Sequence, residues 1–283
     1  MKAGYRAVAL ALVALALAAC SVSRLAYLNA PPLAMWYIGG YVNLSDAQKT
    51  FVRDRLTRAI AWHREAELPQ YQRSIEVLIA KVDGKVSVED ARTTYARARD
   101  YYHRAVEHLL SDFADLLLML EPSQVAQVEK KFADDNEKMV KESVRGTADE
   151  RRAKRAMRFV EQFEDWTGTL APAQREIVLN GTRSLADSTE ERLGDRRYRQ
   201  SEILQLIRAK PPREAATAKL RALFIDTDSW RRPAYTRMLR ERDDRLIEVV
   251  SELSATLTPT QRASVQRRMN GYVRDITSIT ASR

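Results

Sequence analysis

The chain has 283 residues, with 47 Lys and Arg against 38 Asp and Glu, for a formal net charge of +9. Both signs are spread along the sequence, so most of the charge is expected on solvated helix faces, with the surplus cations available to phospholipid headgroups or acidic partners. A single cysteine excludes an intramolecular disulfide framework.

The first nineteen residues read as a targeting segment. Lys2 and Arg6 give a positive start, residues 7–19 form an uninterrupted apolar run, and the run ends at Leu17-Ala18-Ala19-Cys20. This ending resembles the bacterial lipoprotein signal. The resemblance implies that a diacylglycerol is attached to the Cys20 thiol, residues 1–19 are removed, and the new amine is acylated. Several acyl chains, at about 0.8 kcal/mol per buried methylene, make such an anchor effectively permanent. Ser21 follows the cysteine where Asp would resemble an inner-membrane retention signal. The expected location is therefore the bacterial outer membrane, lipid-anchored on the periplasmic face. Removal of Lys2 and Arg6 leaves an excess of about +7. Neither this location nor any sequence motif favours nucleic acid as a partner.

After the signal, Pro31-Pro32 precede an aromatic stretch, Met35-Trp36-Tyr37 through Tyr41. It fits either the membrane interface, where Trp and Tyr are favoured, or a short helix or strap tucked under the fold. From there on, periods of three and four recur and period-two alternation is absent, which predicts an all-α protein. Val52, Leu56, Ile60 and His63 form one stripe. A longer seam runs through Ala91, Tyr95, Ala98, Tyr102, Ala105 and Leu109 and, after a one-residue slip, through Phe113, Leu116 and Leu120. It predicts a helix of about 30 residues with a coiled-coil-like face. Further stripes occur at Ala153, Ala156, Val160 and Phe163, at Tyr235, Leu239, Leu246 and Leu253, and at Val265, Met269, Tyr272, Ile276 and Ile279. Breaks at Pro69, Gly84, Gly146, Gly181, Gly194, Pro211-Pro212 and Pro233 divide the chain into about nine helices, an elongated bundle.

One short pattern, L-[ST]-x-x-Q, recurs. In Leu44-Ser45-Asp46-Ala47-Gln48 and Leu257-Thr258-Pro259-Thr260-Gln261, Ser45 and Thr258 are expected N-caps. Gln48 and Gln261 can reach back to the cap amides and complete capping boxes. Leu120-Glu121-Pro122-Ser123-Gln124 and Leu170-Ala171-Pro172-Ala173-Gln174 keep the spacing and lose the hydroxyl. Capping therefore does not explain why Leu120, Gln124, Leu170 and Gln174 are still present.

Duplication offers a second explanation. A shift of 126 residues lays Leu44 to Gln48 on Leu170 to Gln174, and a shift of 137 lays Gln124 on Gln261 and the seam before it on the seam before Leu257. The implied organisation is a signal peptide (1–19), a lipid-anchored aromatic tether (20–40), a first helical unit (41–145), a connecting basic helix (146–165) and a related second unit (166–283).

The run Arg24-Leu25-Ala26-Tyr27, Met35-Trp36-Tyr37, Leu44…Gln48, Trp62-His63-Arg64, Glu67-Leu68-Pro69-Gln70-Tyr71, Asp135-Asn136-Glu137 and Glu150-Arg151-Arg152 resembles an uncharacterised proteobacterial lipoprotein family, a domain of unknown function. That resemblance spans essentially the whole mature chain and implies an envelope lipoprotein of no assigned activity. The paired boxes in each half are similar to those of the Spy-type periplasmic stress proteins, small helical chaperones and sensors. Glu121 and Ala171 depart from that pattern at the hydroxyl position.

Catalytic and metal chemistry find little support. His103 and His108 are five apart, about 140° around a helix, and do not form a one-face metal pair. His63, in an apolar stripe, is expected to pack or hydrogen-bond between helices. The carboxylates Asp134, Asp135, Glu137, Asp243 and Asp244 sit among Lys and Arg at ion-pair spacing. No nucleophile elbow, phosphate loop or zinc-protease motif occurs. The expected function is non-catalytic: binding of periplasmic or envelope proteins in a chaperone-like groove, with no cofactor beyond the lipid on Cys20. A structural or assembly subunit with one dedicated partner is the alternative, and an envelope glycan hydrolase a remote one.

Overall fold

The structure, a computed structural model, describes residues 24–281. Cys20 and the rest of the expected signal lie outside the described residues. Those residues form an elongated all-helical bundle without strands. There are eleven α-helices, numbered here in chain order: α1 (Ala30–Gly39), α2 (Asp46–Trp62), α3 (Leu68–Val82), α4 (Val88–Leu118), α5 (Pro122–Met139), α6 (Ala148–Thr167), α7 (Pro172–Arg183), α8 (Thr189–Ala209), α9 (Arg213–Phe224), α10 (Pro233–Thr256) and α11 (Pro259–Ala281).

The count exceeds the expected nine because new helices also begin at the boxes, at Asp46, Pro122, Pro172 and Pro259, positions not among the expected breaks, although not every expected break interrupts a helix. Gly181 and Gly194 lie inside α7 and α8. Pro31 and Pro32 do not stop a helix. They occupy the first turn of α1, where a missing N–H costs nothing, and residues 24–28 before them are also helical. Pro69 is accommodated by a π turn at His63–Glu67 that joins α2 to α3 with no change of element type beyond the bulge. Gln70 Nε2 donates to Ala66 O at 2.9 Å, occupying one carbonyl at the disturbed turn.

The main core gathers Val42, Leu44 and Val52 with the C-terminal half of α4, the start of α5, and α8 and α9. A second cluster, Ala156, Val160, Val178, Val249 and Leu253, joins α6, α7 and α10. The halves interlock. α3 lies along α11 and α4 against α9 and α10, with Leu68, Ile276 and Ile279 forming a third cluster under Tyr27 and Tyr71. Arg262, in the first turn of α11, fastens this crossing: its Nη1 donates to Val82 O at 2.6 Å and its Nη2 to Ser254 O at 2.9 Å, carbonyls at the ends of α3 and α10. Cations at helix C-termini are favoured by the macrodipole.

The seam read along α4 differs from its core face. Leu110, Ala114 and Leu117 are buried, whereas Tyr95, Tyr102 and Leu109 are at least 40% exposed. A one-residue offset on a helix is about 100°, enough to turn the heptad stripe from the core toward a surface groove.

Candidate functional site

The four boxes meet in two pairs. Gln48 and Gln124 are buried and exchange two hydrogen bonds, Gln48 Nε2 to Gln124 Oε1 at 2.9 Å and Gln124 Nε2 to Gln48 Oε1 at 2.7 Å. Gln174 and Gln261 do the same at 2.9 and 2.8 Å. Each amide oxygen also accepts from the N–H of its own cap position, Ser45, Glu121, Ala171 or Thr258, at 2.9–3.0 Å. Each amide nitrogen donates in addition to the carbonyl just before the partner's leucine: Gln48 to Met119, Gln124 to Asn43, Gln174 to Thr256 and Gln261 to Thr169, at 2.8–3.0 Å. Every donor and acceptor of each buried amide is thereby occupied, as burial requires. The hydroxyls of Ser45 and Thr258 accept from Gln48 N and Gln261 N at 3.3 and 3.2 Å, an addition that the Glu121 and Ala171 copies do without. Leu44, Leu120 and Leu170 are buried beside these joints and Leu257 is half-buried. The glutamines are thus structural joints. They set the angles of α2 against α5 and of α7 against α11.

The first joint borders a groove. α1, α4, α5, α8 and α9 enclose a concave space of about 1670 Å³, lined by apolar side chains such as Ile38, Phe113, Leu116, Phe132, Ile203 and Phe224. Lys131, Lys138, Arg192, Arg196 and Arg199 also line it. It continues through Ile38, Phe113, Leu116 and Phe224 into a second apolar space of about 410 Å³ between α2 and α4, where Tyr102 and Leu109 of the heptad stripe lie. The aromatic segment forms one wall. Met35, Ile38 and Tyr41 pack on the core, while Trp36 at 77% and Tyr37 at 60% exposure face outward.

At the groove edge Tyr41 Oη donates to Asp135 Oδ2 at 3.0 Å, Lys131 Nζ donates to Oδ1 at 2.7 Å, and Arg196 lies 3.4 Å away. Burial opposes ionisation of Asp135, yet these hydrogen bonds and cations hold its pKa below the ordinary value. Burial, then the neighbouring Tyr37 and Asp135, push the Tyr41 phenol up. Both groups are therefore in the state that favours their mutual hydrogen bond at neutral pH.

The other singled-out groups go to separate places. His63 Nδ1 lies 3.1 Å from Tyr27 Oη, and its ring meets the edge of Tyr71. Burial pushes its pKa down against the pull of Glu67. His108 stacks on Trp62 with ring centroids 3.8 Å apart, and His103 lies beside Tyr102. Asp134 and Glu137 pair with Lys130 and Lys141 one helical turn away, Asp244 with Arg92, and Asp243 with Arg242. Among the described residues, no three His, Cys, Asp or Glu side chains are gathered as a metal site, and no helix is long and apolar enough to cross a membrane. Sequence reasoning missed the cross-pairing of the glutamines. The available signal was that Gln124 and Gln174 persist where the cap hydroxyl does not.

The fold and its joints define a helical, groove-bearing protein whose glutamines are occupied in holding the framework. Residues 40–236 match a family of unknown function, DUF6279, and the chain belongs to that family. No curated protein and no solved structure matches the chain.

Proposed function

We propose that this protein is a lipid-anchored envelope protein, held through Cys20 to the periplasmic face of a bacterial outer membrane, that binds other periplasmic or envelope proteins in its apolar groove without catalysis. The observation that carries this reading is the groove itself. A concavity of about 1670 Å³, lined largely by apolar side chains with Lys and Arg among them, suits an extended or partly unfolded chain: apolar side chains enter and carboxylates meet the cations. The Spy-type likeness agrees with this, since the glutamine joints would then fix the shape of the groove rather than touch the client. The likeness of the two joints also supports reading the chain as two related helical units, 41–145 and 166–283, joined by a basic helix.

A second reading, one dedicated partner, draws support from α1, where Leu33, Trp36 and Tyr37 present an exposed apolar face. The separating experiment adds a stoichiometric amount of the full chain to chemically unfolded clients and follows light scattering. Suppression with several unrelated clients, weakened by Leu109→Asp and by Phe132→Asp, is the expected result. No suppression with any client would discard the holdase reading in favour of a dedicated partner, to be captured by crosslinking through residue 36.

A further inference from the structure

A second cavity, of about 600 Å³, lies between α6, α8, α10 and the π turn at Val140–Val144. Eight Lys and Arg side chains line it against three glutamates, Glu142, Glu150 and Glu241. The concentration has a simple origin in sequence. Arg151, Lys154, Arg155 and Arg158 fall at i, i+3, i+4 and i+7 on one face of α6, and α10 brings Arg242 and Arg245 opposite them.

Part of this charge is neutralised locally. Asp187, almost buried, takes Arg151 at 2.5 Å and Arg155 at 3.8 Å. Arg242 pairs with Asp243, and Arg245 with Glu248 and Glu252. Of the three glutamates, Glu142 pairs with Lys138 and Glu150 caps Thr147 N, which leaves Glu241 alone without such a contact among the described residues. Arg145, Lys154, Arg158 and Arg192 have no ion-pair partner among the described residues. Buried Nε of Arg155 has no hydrogen-bond partner either. Burial, reinforced by repulsion from Arg152 and Arg242 and offset by Asp187, pushes the Arg155 pKa down. Arg155 is half-buried, whereas Arg145, Lys154, Arg158 and Arg192 are solvent-exposed at the cavity wall, so an entering anion would meet four cations with no paired carboxylate.

The cavity is not purely polar. Phe159, Leu185, Tyr235 and Met238 form part of its wall, and it meets the large apolar groove at Glu142, Ser143 and Arg192. Its volume suits a small organic ligand. Several unpaired guanidinium forks match a tetrahedral oxyanion carrying more than one charge better than a single carboxylate. We propose that this cavity binds a phosphate-bearing amphipathic ligand, with the phosphate among Arg145, Lys154, Arg158 and Arg192 and its hydrocarbon against Phe159, Leu185 and Met238. The proposal is independent of what the apolar groove binds.

The test uses the purified full chain and isothermal titration with inorganic phosphate, dihexanoyl phosphatidic acid and dihexanoyl phosphatidylcholine. Saturable binding of the phosphatidic acid, tenfold or more tighter than that of the zwitterionic lipid, is expected. Affinity should fall at least tenfold in Lys154→Ala/Arg158→Ala and be unchanged in Arg73→Ala/Arg97→Ala, a distant basic pair. The cavity variant loses no ion pair, so its thermal unfolding should match that of the wild type and folding will not confound the result. Phosphate binding as tightly as the lipid would support the site and identify a free phosphate ester as the source. Absence of saturable binding by both anions, or equal losses in the two variants, would overturn the proposal.

Discussion

Gln48→Ala removes a side chain that makes four hydrogen bonds: from Ser45 N–H, to Met119 O, and two with Gln124. At about 0.5–1.5 kcal/mol net for each of the four, the expected loss is about 2–6 kcal/mol. Gln124→Ala loses its own four by symmetry. Two of these bonds are common to both single variants. The double variant should therefore be less destabilised than the sum of the singles by about two bonds, or ~1–3 kcal/mol. Gln48 and Gln174 share no partner, so Gln48→Ala/Gln174→Ala should be additive within about 0.5 kcal/mol. Urea unfolding of the full chain, followed by far-ultraviolet circular dichroism with the slopes compared, measures these four variants and the Gln174→Ala single variant. Strict additivity within the Gln48–Gln124 pair would refute the joint as drawn, and a single-variant loss below ~1 kcal/mol would reduce it to ordinary capping.

Gly181 and Gly194, both inside helices, should respond with opposite sign. A Cβ at Gly181 would lie 2.2 Å from Val249 Cγ2, so Gly181→Ala should cost about 1–3 kcal/mol through overpacking of α7 on α10, despite better helix propensity. A Cβ at Gly194 meets nothing within 4 Å, and Gly194→Ala should stabilise by about 0.5–1 kcal/mol in the same urea assay. Glu67 is buried and takes Arg104 through two bonds, 2.9 and 2.8 Å. Those bonds hold its pKa below the ordinary 4.5. The pair therefore contributes stability above the unfolded-state value and loses it as pH falls through the folded-state value. Glu67→Gln should be less stable by about 1–3 kcal/mol at pH 7, with the gap narrowing toward pH 3; a gap independent of pH would remove the charge from the explanation. Cys20→Ala should leave an unprocessed precursor that takes up no palmitate in metabolic labelling, and labelling that survived the change would overturn the envelope location.

Periodicity found the helices because an amphipathic stripe has to appear in sequence whatever it packs against. The 31-residue α4 is legible in this way, and the starts of α2 and α11 are legible in their capping boxes. Direction was not. Tyr102 and Leu109 have the spacing of a core seam yet face a groove, and spacing alone carries no information about whether a partner helix is present. Proline and glycine misled where context rescued them, as in the first turn of α1 and the π turn before Pro69. The glutamine pairs and the cationic cavity were out of reach for a related reason. Gln48 meets Gln124 across 76 positions of sequence, and Lys154, Arg192 and Arg242 line one cavity from three different helices. On the basic helix Arg151 and Arg155 are half-buried while Lys154 and Arg158 are exposed, and nothing local in the sequence separates the two pairs.

The placement of α11 along α3 has a consequence for how the molecule is made. Residues 259–281 leave the ribosome after the other ten helices described above, yet they cover Leu68 in the first third of the chain, and Arg262 ties down the end of α3. Until that segment arrives, α3 lacks its cover over Leu68 and the Val82 carbonyl lacks the Arg262 donor. Closure is therefore a late and long-range event, separated by 180 residues in the Arg262–Val82 contact, and a slow step of this kind is expected from its loop-closure entropy. A chain cut short by even its last two turns would lose Ile276 and Ile279, and with them the cover over the first half.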